Sequence, residues 1–353
     1  MKKISVLIII ILYSAANVKG QNLQVPYLIS NLPKYNAEKY IKLEKLYSIY
    51  PDDTSGKNSY FLDNIRMFDV DNDTNLYVPD FTQSKILLFD KKGTYIKELG
   101  GFGQGPRELM YPNFINIYNN NLYIYESNKG IKIFNLKGDY VDFFVKPHNN
   151  FWNYKVFDKS YLMVETVYNK KRGIFEPFLT IYTQDFKTRK EIYQINDGND
   201  KNFCANYAYT MNSKNQFFCI ADRDNYKIIV YNSEGKPLKS FGRKIDKIKY
   251  SSNMKKFWKD KNRKMLDYTP IVRMLFVDSL DNIWVVVGEC SIDCDRNFPV
   301  ESTIDIFDDN GNFLCSFKSS IFIYSSVIKH NRFYSMCTEY DSNINVYKIT
   351  YLK

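Results

Sequence analysis

Short apolar runs recur along the chain and are broken at regular places by Asp, Asn and Gly. Leu76-Tyr77-Val78-Pro79-Asp80 leads through Lys85-Ile86-Leu87-Leu88-Phe89-Asp90 to Gly93 and on to Leu99-Gly100. Phe218-Cys219-Ile220-Ala221-Asp222 leads in the same way through Lys227-Ile228-Ile229-Val230-Tyr231-Asn232 to Gly235 and Phe241-Gly242. Each copy reads as strand, Asp-marked turn, strand, Gly turn, strand. A phrase of this size that returns along a chain marks an array of β repeats.

Six units follow from the strand that opens each one. Asn64 to Asp71 matches Ile271 to Asp278, and both lead through a short polar turn into an apolar strand, Leu76-Tyr77-Val78 or Ile283-Trp284-Val285. The same grammar fits Asn113 to Ile117, Asn153 to Phe157, Tyr207 to Met211 and Tyr324 to Ile328. Third strands follow at Ile86 to Phe89, Ile131 to Phe134, Leu179 to Tyr182, Ile228 to Tyr231, Thr303 to Phe307 and Ile344 to Tyr347. Gly93, Gly138, Gly235 and Gly311 then occupy the turn position that needs a positive φ. The last unit runs out of chain after its third strand, and Lys39 to Glu44 is the segment available to supply its fourth. The pattern predicts an all-β, six-bladed β-propeller of four-stranded antiparallel blades over 37–353, with the ring closed by an N-terminal strand and no open edge between first and last blades.

These phrases are similar to those of the six-bladed β-propeller proteins, NHL-like and TolB-like, common among exported proteins of Bacteroidetes. The resemblance rests on Asp69-Val70-Asp71-Asn72-Asp73, on Leu76-Tyr77-Val78-Pro79-Asp80, and on Gly100-Gly101-Phe102-Gly103-Gln104-Gly105-Pro106-Arg107-Glu108, which resembles that family's Gly-x-Gly-Pro-Gly-Glu connector. Lys42-Leu43-Glu44 ahead of the first blade also fits. The resemblance implies a fold and an exported location; it implies no general enzymatic activity.

The N-terminus reads as a secretory signal over 1–20: Lys2 and Lys3, an apolar stretch from Ile4 to Tyr13, and small residues around Val18-Lys19-Gly20. An uncleaved anchor is the alternative. A linker over 21–36 is expected to follow. No Cys stands after the apolar stretch, so the expected product is exported, periplasmic or secreted, and not a lipoprotein. Nothing further along is apolar enough for a transmembrane span. Of the six Cys, Cys290 with Cys294 is the best local disulfide pair, ahead of Cys204 with Cys219 and Cys315 with Cys337.

The net charge of +10 falls to +7 without Lys2, Lys3 and Lys19, and the stretch 243–270, with ten basic and three acidic residues, accounts for that remainder. One basic insertion on a neutral body is not a nucleic-acid-binding composition. Ser251-Ser252-Asn253 could cap a helix near 250–266, with Met254, Phe257, Trp258 and Met265 roughly on one face and Lys255, Lys256, Lys259 and Arg263 elsewhere. Its structural reading is a helix packed over a blade. Its functional reading is a surface for an envelope protein partner, or a lid beside the channel.

Catalytic constellations are sparse. The only two His, His148 and His330, sit in turn-like sequence. Gly100 to Gly105 lacks the Lys-Ser/Thr of a phosphate loop, and Asp69-x-Asp71-x-Asp73 lacks the Gly and distal Glu of a calcium loop. No catalytic, metal or cofactor site is assigned. Alignment of the opening strands instead places Arg66, Asn113, Asn153, Tyr207, Arg273 and Tyr324 at equivalent positions, which a ring fold brings together around its axis. Such a ring suits a polar or anionic ligand; its structural reading is a set of side chains bonded to one another in a channel. The expectation is a monomeric, non-enzymatic binding or interaction module, for glycan or peptide. The alternative is a metal-assisted hydrolase or lyase with its site on the axis.

Overall fold

The computed structural model describes residues 10–18, 21–53, 59–127, 129–146, 150–171, 173–195, 209–221, 223–252, 255, 259, 267–288, 301–321, 325–336 and 343–352. Six antiparallel four-stranded units follow one another along the chain. Blade 1 consists of Asp69–Val70, Leu76–Asp80, Lys85–Phe89 and Tyr95–Gly100, and blade 2 of Pro112–Tyr118, Asn121–Glu126, Gly130–Asn135 and Tyr140–Val145. Blade 3 holds Asn150–Phe157, Ser160–Asn169, Ile174–Thr183 and Arg189–Gln194; blade 4 holds Tyr209–Met211, Phe217–Ile220, Lys227–Tyr231 and Pro237–Gly242. Blade 5 holds Val272–Val277, Ile283–Val287, Ser302–Phe307 and Phe313–Ser319. In blade 6, Ser325–Lys329, Arg332–Met336 and Ile344–Tyr351 are joined by Ile41–Ile49, which pairs with Ile344–Tyr351 from Tyr351↔Ile41 to Ile344↔Ile49.

The apolar core lies between consecutive blades. Tyr77, Ile86 and Leu88 of blade 1 pack on Ile115, Leu122, Ile124 and Phe134 of blade 2. Tyr334, Met336 and Ile344 of blade 6, with Ile49, pack in turn on Phe68, Val70 and Val78 of blade 1. A strand covered on both faces has no polar side to alternate with, so Leu76–Asp80 and Ile283–Val287 are buried along their whole length. That is why these strands read as continuous apolar runs.

The Gly turns between third and outer strands share one construction. Asp90, Asn135, Asn232 and Asp308 each accept, on the side-chain oxygen, the N–H groups two and four residues on. The glycine three residues on takes a positive φ, between 75° and 98°, and each turn is followed by a shift in strand register.

At the end carrying the turns from inner to second strand, side chains tie every blade to the next. Asp69 accepts the Ile117 N–H at 2.7 Å, and Asn116 accepts the Val156 N–H at 3.1 Å, an identical link one blade further on. Tyr118 donates to Asp158 at 3.1 Å, and Asn215 donates to the same carboxylate at 3.0 Å. The N–H and hydroxyl of Ser213 both donate to Asp281, and the Asn331 N–H donates to Ser279 at 2.9 Å. Lys329 of blade 6 completes the circuit, reaching Asp69 at 2.6 Å and the Val70 carbonyl at 3.0 Å. This girdle makes the turn end of the molecule a fixed base.

The segment 21–36 does not run free of the propeller. Gln21–Ile29 pairs antiparallel with Ile10–Val18 and parallel with the outer strand of blade 4, from Tyr27↔Ser240 to Ile29↔Gly242. Lys34 and Tyr35 then donate their N–H groups to Phe313 and Leu314 of blade 5. A 3-10 turn, Ala37–Lys39, is capped by the Asn36 side chain and leads into blade 6. Of the insertion 250–266, Ser252, Lys255 and Lys259 have helical backbone, and the other residues from Asn253 to Leu266 lie outside the described set.

Cys219 and Cys315 are buried free thiols, so neither makes the bond to Cys204 or Cys337 that spacing allowed. Each sits in the packed interior of a blade, and burial pushes the Cys315 thiol up to about 12. Cys290, Cys294 and His148 lie outside the described residues. His330 occupies a turn with φ 51°. Among the described residues no helix is long and apolar enough to cross a membrane.

Candidate site at the connector end of the axis

The opposite end of the ring carries the connectors between blades and the turns from second to third strands. The inner strands begin here, and among the described residues four blades share the same irregularity at that beginning. In blade 2, Pro112 pairs with Glu126 and Phe114 with Tyr125, which leaves Asn113 as a surplus residue. In blade 5, Val272 pairs with Val287 and Met274 with Val286, which leaves Arg273. In blade 3 the step from Phe151↔Glu165 to Tyr154↔Met163 spends one residue too many, around Asn153. In blade 1, Ile65↔Asp80 and Asp69↔Tyr77 enclose one more residue on the inner strand than on its partner, in the stretch that starts with Arg66. A surplus residue turns its side chain out of the regular alternation and bends the strand, a device common beside binding sites.

Four of the six residues aligned from sequence therefore lie at or beside the same structural feature. The parallel bridge Met67↔Phe114 sets Arg66 and Asn113 side by side in neighbouring blades. Arg66 is half-buried; its N–H donates to the Pro79 carbonyl at 3.0 Å, and its guanidinium lies 4.8 Å from the ring centre of Phe81. The Arg66 Nε is buried without a hydrogen-bond partner. Asn113 is within 3.4 Å of the Ser127 hydroxyl, and Asn153 accepts the Tyr154 N–H at 2.8 Å. Arg273 is more enclosed, at 6% exposure. Tyr207 and Tyr324 lie outside the described residues.

Sequence reasoning passed over a set of acids at this end. The second strands of blades 1 and 2 end on Asp80 and Glu126, and that of blade 3 carries Glu165 within it; each faces the last paired inner-strand residue before the surplus, and all three are buried. The signal was in the repeated phrase itself, as the acid that ends Leu76-Tyr77-Val78-Pro79-Asp80 and Leu122-Tyr123-Ile124-Tyr125-Glu126. Asp80 accepts the Asp63 N–H at 2.7 Å, and Glu126 accepts the Met110 N–H at 2.7 Å. In both cases the donor stands three residues before the ring residue of its blade. The acids thus fix the loops that deliver Arg66 and Asn113. Glu165 accepts from Tyr182 and pairs with Arg189. Carboxylates occupied in this way are positioning groups, not free bases.

The calcium-like run resolves into turn chemistry. Asp71 accepts the N–H groups of Asp73 and Asn75, the Asn75 amide and the Tyr77 hydroxyl. Asp278 does the same for Leu280, Asn282 and the Trp284 indole. Among the described residues no group of three or more His, Cys, Asp or Glu is placed to hold a metal ion.

Deeper along the axis, Lys155 of blade 3 pairs with Leu162 as Asn116 pairs with Tyr123 and Asp69 with Tyr77. It is half-exposed as a residue, yet protein encloses its ammonium, and this desolvation holds its pKa below the ordinary lysine value; the nearby charge of Asp69 opposes the shift and that of Lys329 adds to it. Just below the ordinary value the unfolded chain keeps a proton that the folded chain releases, so the stability carried by this group rises with pH through that window. Lys155→Met should raise the melting temperature at neutral pH, with a smaller gain near pH 10. A variant less stable than the parent at both pH values would show that the ammonium is held favourably.

No protein-family profile matches the chain, and no curated protein matches it. Solved structures do. A DUF4221 family member from Bacteroides vulgatus is 11% identical, with a TM-score of 0.57, covering 89% of this chain and 100% of its own. A Bacteroides fragilis "putative exported protein" is 12% identical, with a TM-score of 0.54, covering 92% and 98%. A Bacteroides thetaiotaomicron protein of unknown function is 8% identical, with a TM-score of 0.51, covering 88% and 76%. At these identities the likeness is one of fold, and the chain shares the six-bladed β-propeller architecture of these Bacteroides proteins.

Proposed function

We propose that the protein is an exported, monomeric, non-enzymatic binding module that takes a polar or anionic ligand at the connector end of its axis. The observation that carries this reading is the surplus inner-strand residue at or beside Arg66, Asn113, Asn153 and Arg273. Four blades depart from regular pairing at one level, where the side chains are Arg and Asn. A bulge re-aims a side chain, and bulges are common beside binding sites. Tyr207 and Tyr324 complete the ring by their places in the sequence. The hydrolase or lyase alternative is less favoured, because Asp80, Glu126 and Glu165 are engaged with backbone N–H groups, a tyrosine hydroxyl and an arginine.

The fixed base and the variable mouth support the same assignment, since binding residues work best on a rigid scaffold. Pairing of Ile41–Ile49 with the last blade closes the ring in this reading. A signal over 1–20 directs the chain to the periplasm or outside the cell. The basic stretch 243–270 is the surface for an envelope protein partner.

The test is titration of acidic oligosaccharides and acidic peptides by calorimetry. Loss of one charged hydrogen bond costs about 1.5–3 kcal/mol, roughly a ten- to hundredfold fall in affinity. Arg66→Ala and Arg273→Gln should each show a fall of this size, with melting temperatures close to the parent. Unchanged affinity in both variants would end the proposal.

A further inference from the structure

Beside Arg66 the connector from blade 1 to blade 2 presents aromatic rings to solvent. Phe102 is 65% exposed and Tyr111 is 40% exposed. Their ring centres are 5.9 Å apart, and Tyr111 is 5.2 Å from Phe81, over which the Arg66 guanidinium lies at 4.8 Å. The four side chains form a continuous shelf with the cation at its inner end. A single exposed aromatic residue needs no explanation; a row of three ending in an arginine with a buried, unpartnered Nε does.

The shelf is held rigidly. The Leu109 N–H donates to Gly101 at 2.8 Å, and the Gly103 N–H donates to Leu109 at 3.1 Å. Glu108 accepts the Gly105 N–H at 2.7 Å, and buried Lys132 donates to the Glu108 and Gly105 carbonyls. The loop therefore spends its polar groups on itself and leaves Phe102 facing water. Tyr111 has φ 53°, a strained setting for a bulky residue, kept by bonds to Ser84 and Ser127. Strain that keeps an aromatic ring at the surface points to something the ring must meet.

We infer that the shelf Phe102–Tyr111–Phe81 and Arg66 form a subsite for an acidic saccharide: the flat C–H face of a sugar ring lies on one exposed ring, Phe102 or Tyr111, while its carboxylate or sulfate takes the guanidinium. This rests on the proposed role of Arg66 and names the ligand class. The charge of Arg66 selects an acid. The rings stand at 34° and 69° to one another, so a single sugar ring lies flat on one of them at a time.

The experiment is calorimetric titration of the full-length mature protein with tetragalacturonate and a heparin-derived tetrasaccharide. Cellotetraose serves as the neutral control and a Glu-rich peptide as the acidic one. Binding of an acidic saccharide, with about a tenfold loss in Phe102→Ala and in Tyr111→Asn and a larger loss in Arg66→Ala, supports the subsite. Asn tolerates the positive φ, so that variant tests the ring without breaking the backbone. Saccharide binding that falls in Arg66→Ala but holds in Phe102→Ala and Tyr111→Asn overturns the shelf and leaves the Arg ring standing. Binding of the peptide with equal affinity, binding of the neutral sugar alone, or no binding of either acidic saccharide overturns the inference.

Discussion

A chain lacking residues 37–45 should lose its cooperative thermal transition, or melt far below the parent. The deletion removes Ile41 to Lys45 from the strand Ile41–Ile49 and frees Tyr347 to Tyr351 of its partners. The third strand of blade 6 then becomes an open edge with unpaired backbone groups, a template for aggregation. Buried Ile41 also leaves the cluster that holds Met274, Trp284 and Ile349. Fully burying one such side chain is worth about 1.5–3 kcal/mol, and net stability of a domain is only about 5–15 kcal/mol. A milder variant grades the effect: Ile49, 1% exposed against Leu62, Phe68 and Val346 of the blade 6–blade 1 interface, should cost about 2–5 kcal/mol as Ile49→Ala. Urea and thermal denaturation measure both. A deletion variant melting within a few degrees of the parent would show that the ring is held without this strand.

What the sequence made legible was whatever repeats. Inner strands, Gly turns and the order of six units could be read because most second strands are buried on both faces and four of the outer hairpins use the same Asp or Asn with Gly. The strand Ile41–Ile49 was expected from the short last unit, though it runs on to Ile49 where the reading stopped at Glu44. Equivalence of Arg66, Asn113, Asn153 and Arg273 was legible for the same reason. That they mark or adjoin surplus residues was not, because a bulge is a property of two strands in register and leaves no mark on one. The girdle was hidden too. Tyr118, Asp158, Asn215 and Ser279 sit in or beside turns of differing length, and only the ring brings them into contact. The strap over 21–36 carries no repeat, and its bonds run to Gly242 and Phe313, more than two hundred residues away.

The girdle gives the other large effect. Asp69 is 3% exposed and lies where three blades meet: its carboxylate takes Lys329 of blade 6 at 2.6 Å, the Ile117 N–H of blade 2 at 2.7 Å and the Val70 N–H of its own blade at 2.8 Å. Asp69→Ala deletes the acceptor and leaves two N–H groups and an ammonium behind. Breaking one side of a fully buried ion pair costs about 3–5 kcal/mol; the Lys329 side chain is 33% exposed, so water takes up part of the surviving charge and the cost falls below that range. Asp69→Asn, which keeps an acceptor for Ile117, should cost less than Ala. Lys329→Met in the Asp69→Asn background should cost less than the sum of the two single changes, since both act on one interaction. Urea denaturation of the four proteins supplies the cycle. Because Asp69 stands at the base and Arg66 at the mouth, folded Asp69→Asn should bind acidic ligands as the parent does. Additive costs with no coupling would mean that Lys329 does not need Asp69, and that their ion pair does not hold blades 6 and 1 together.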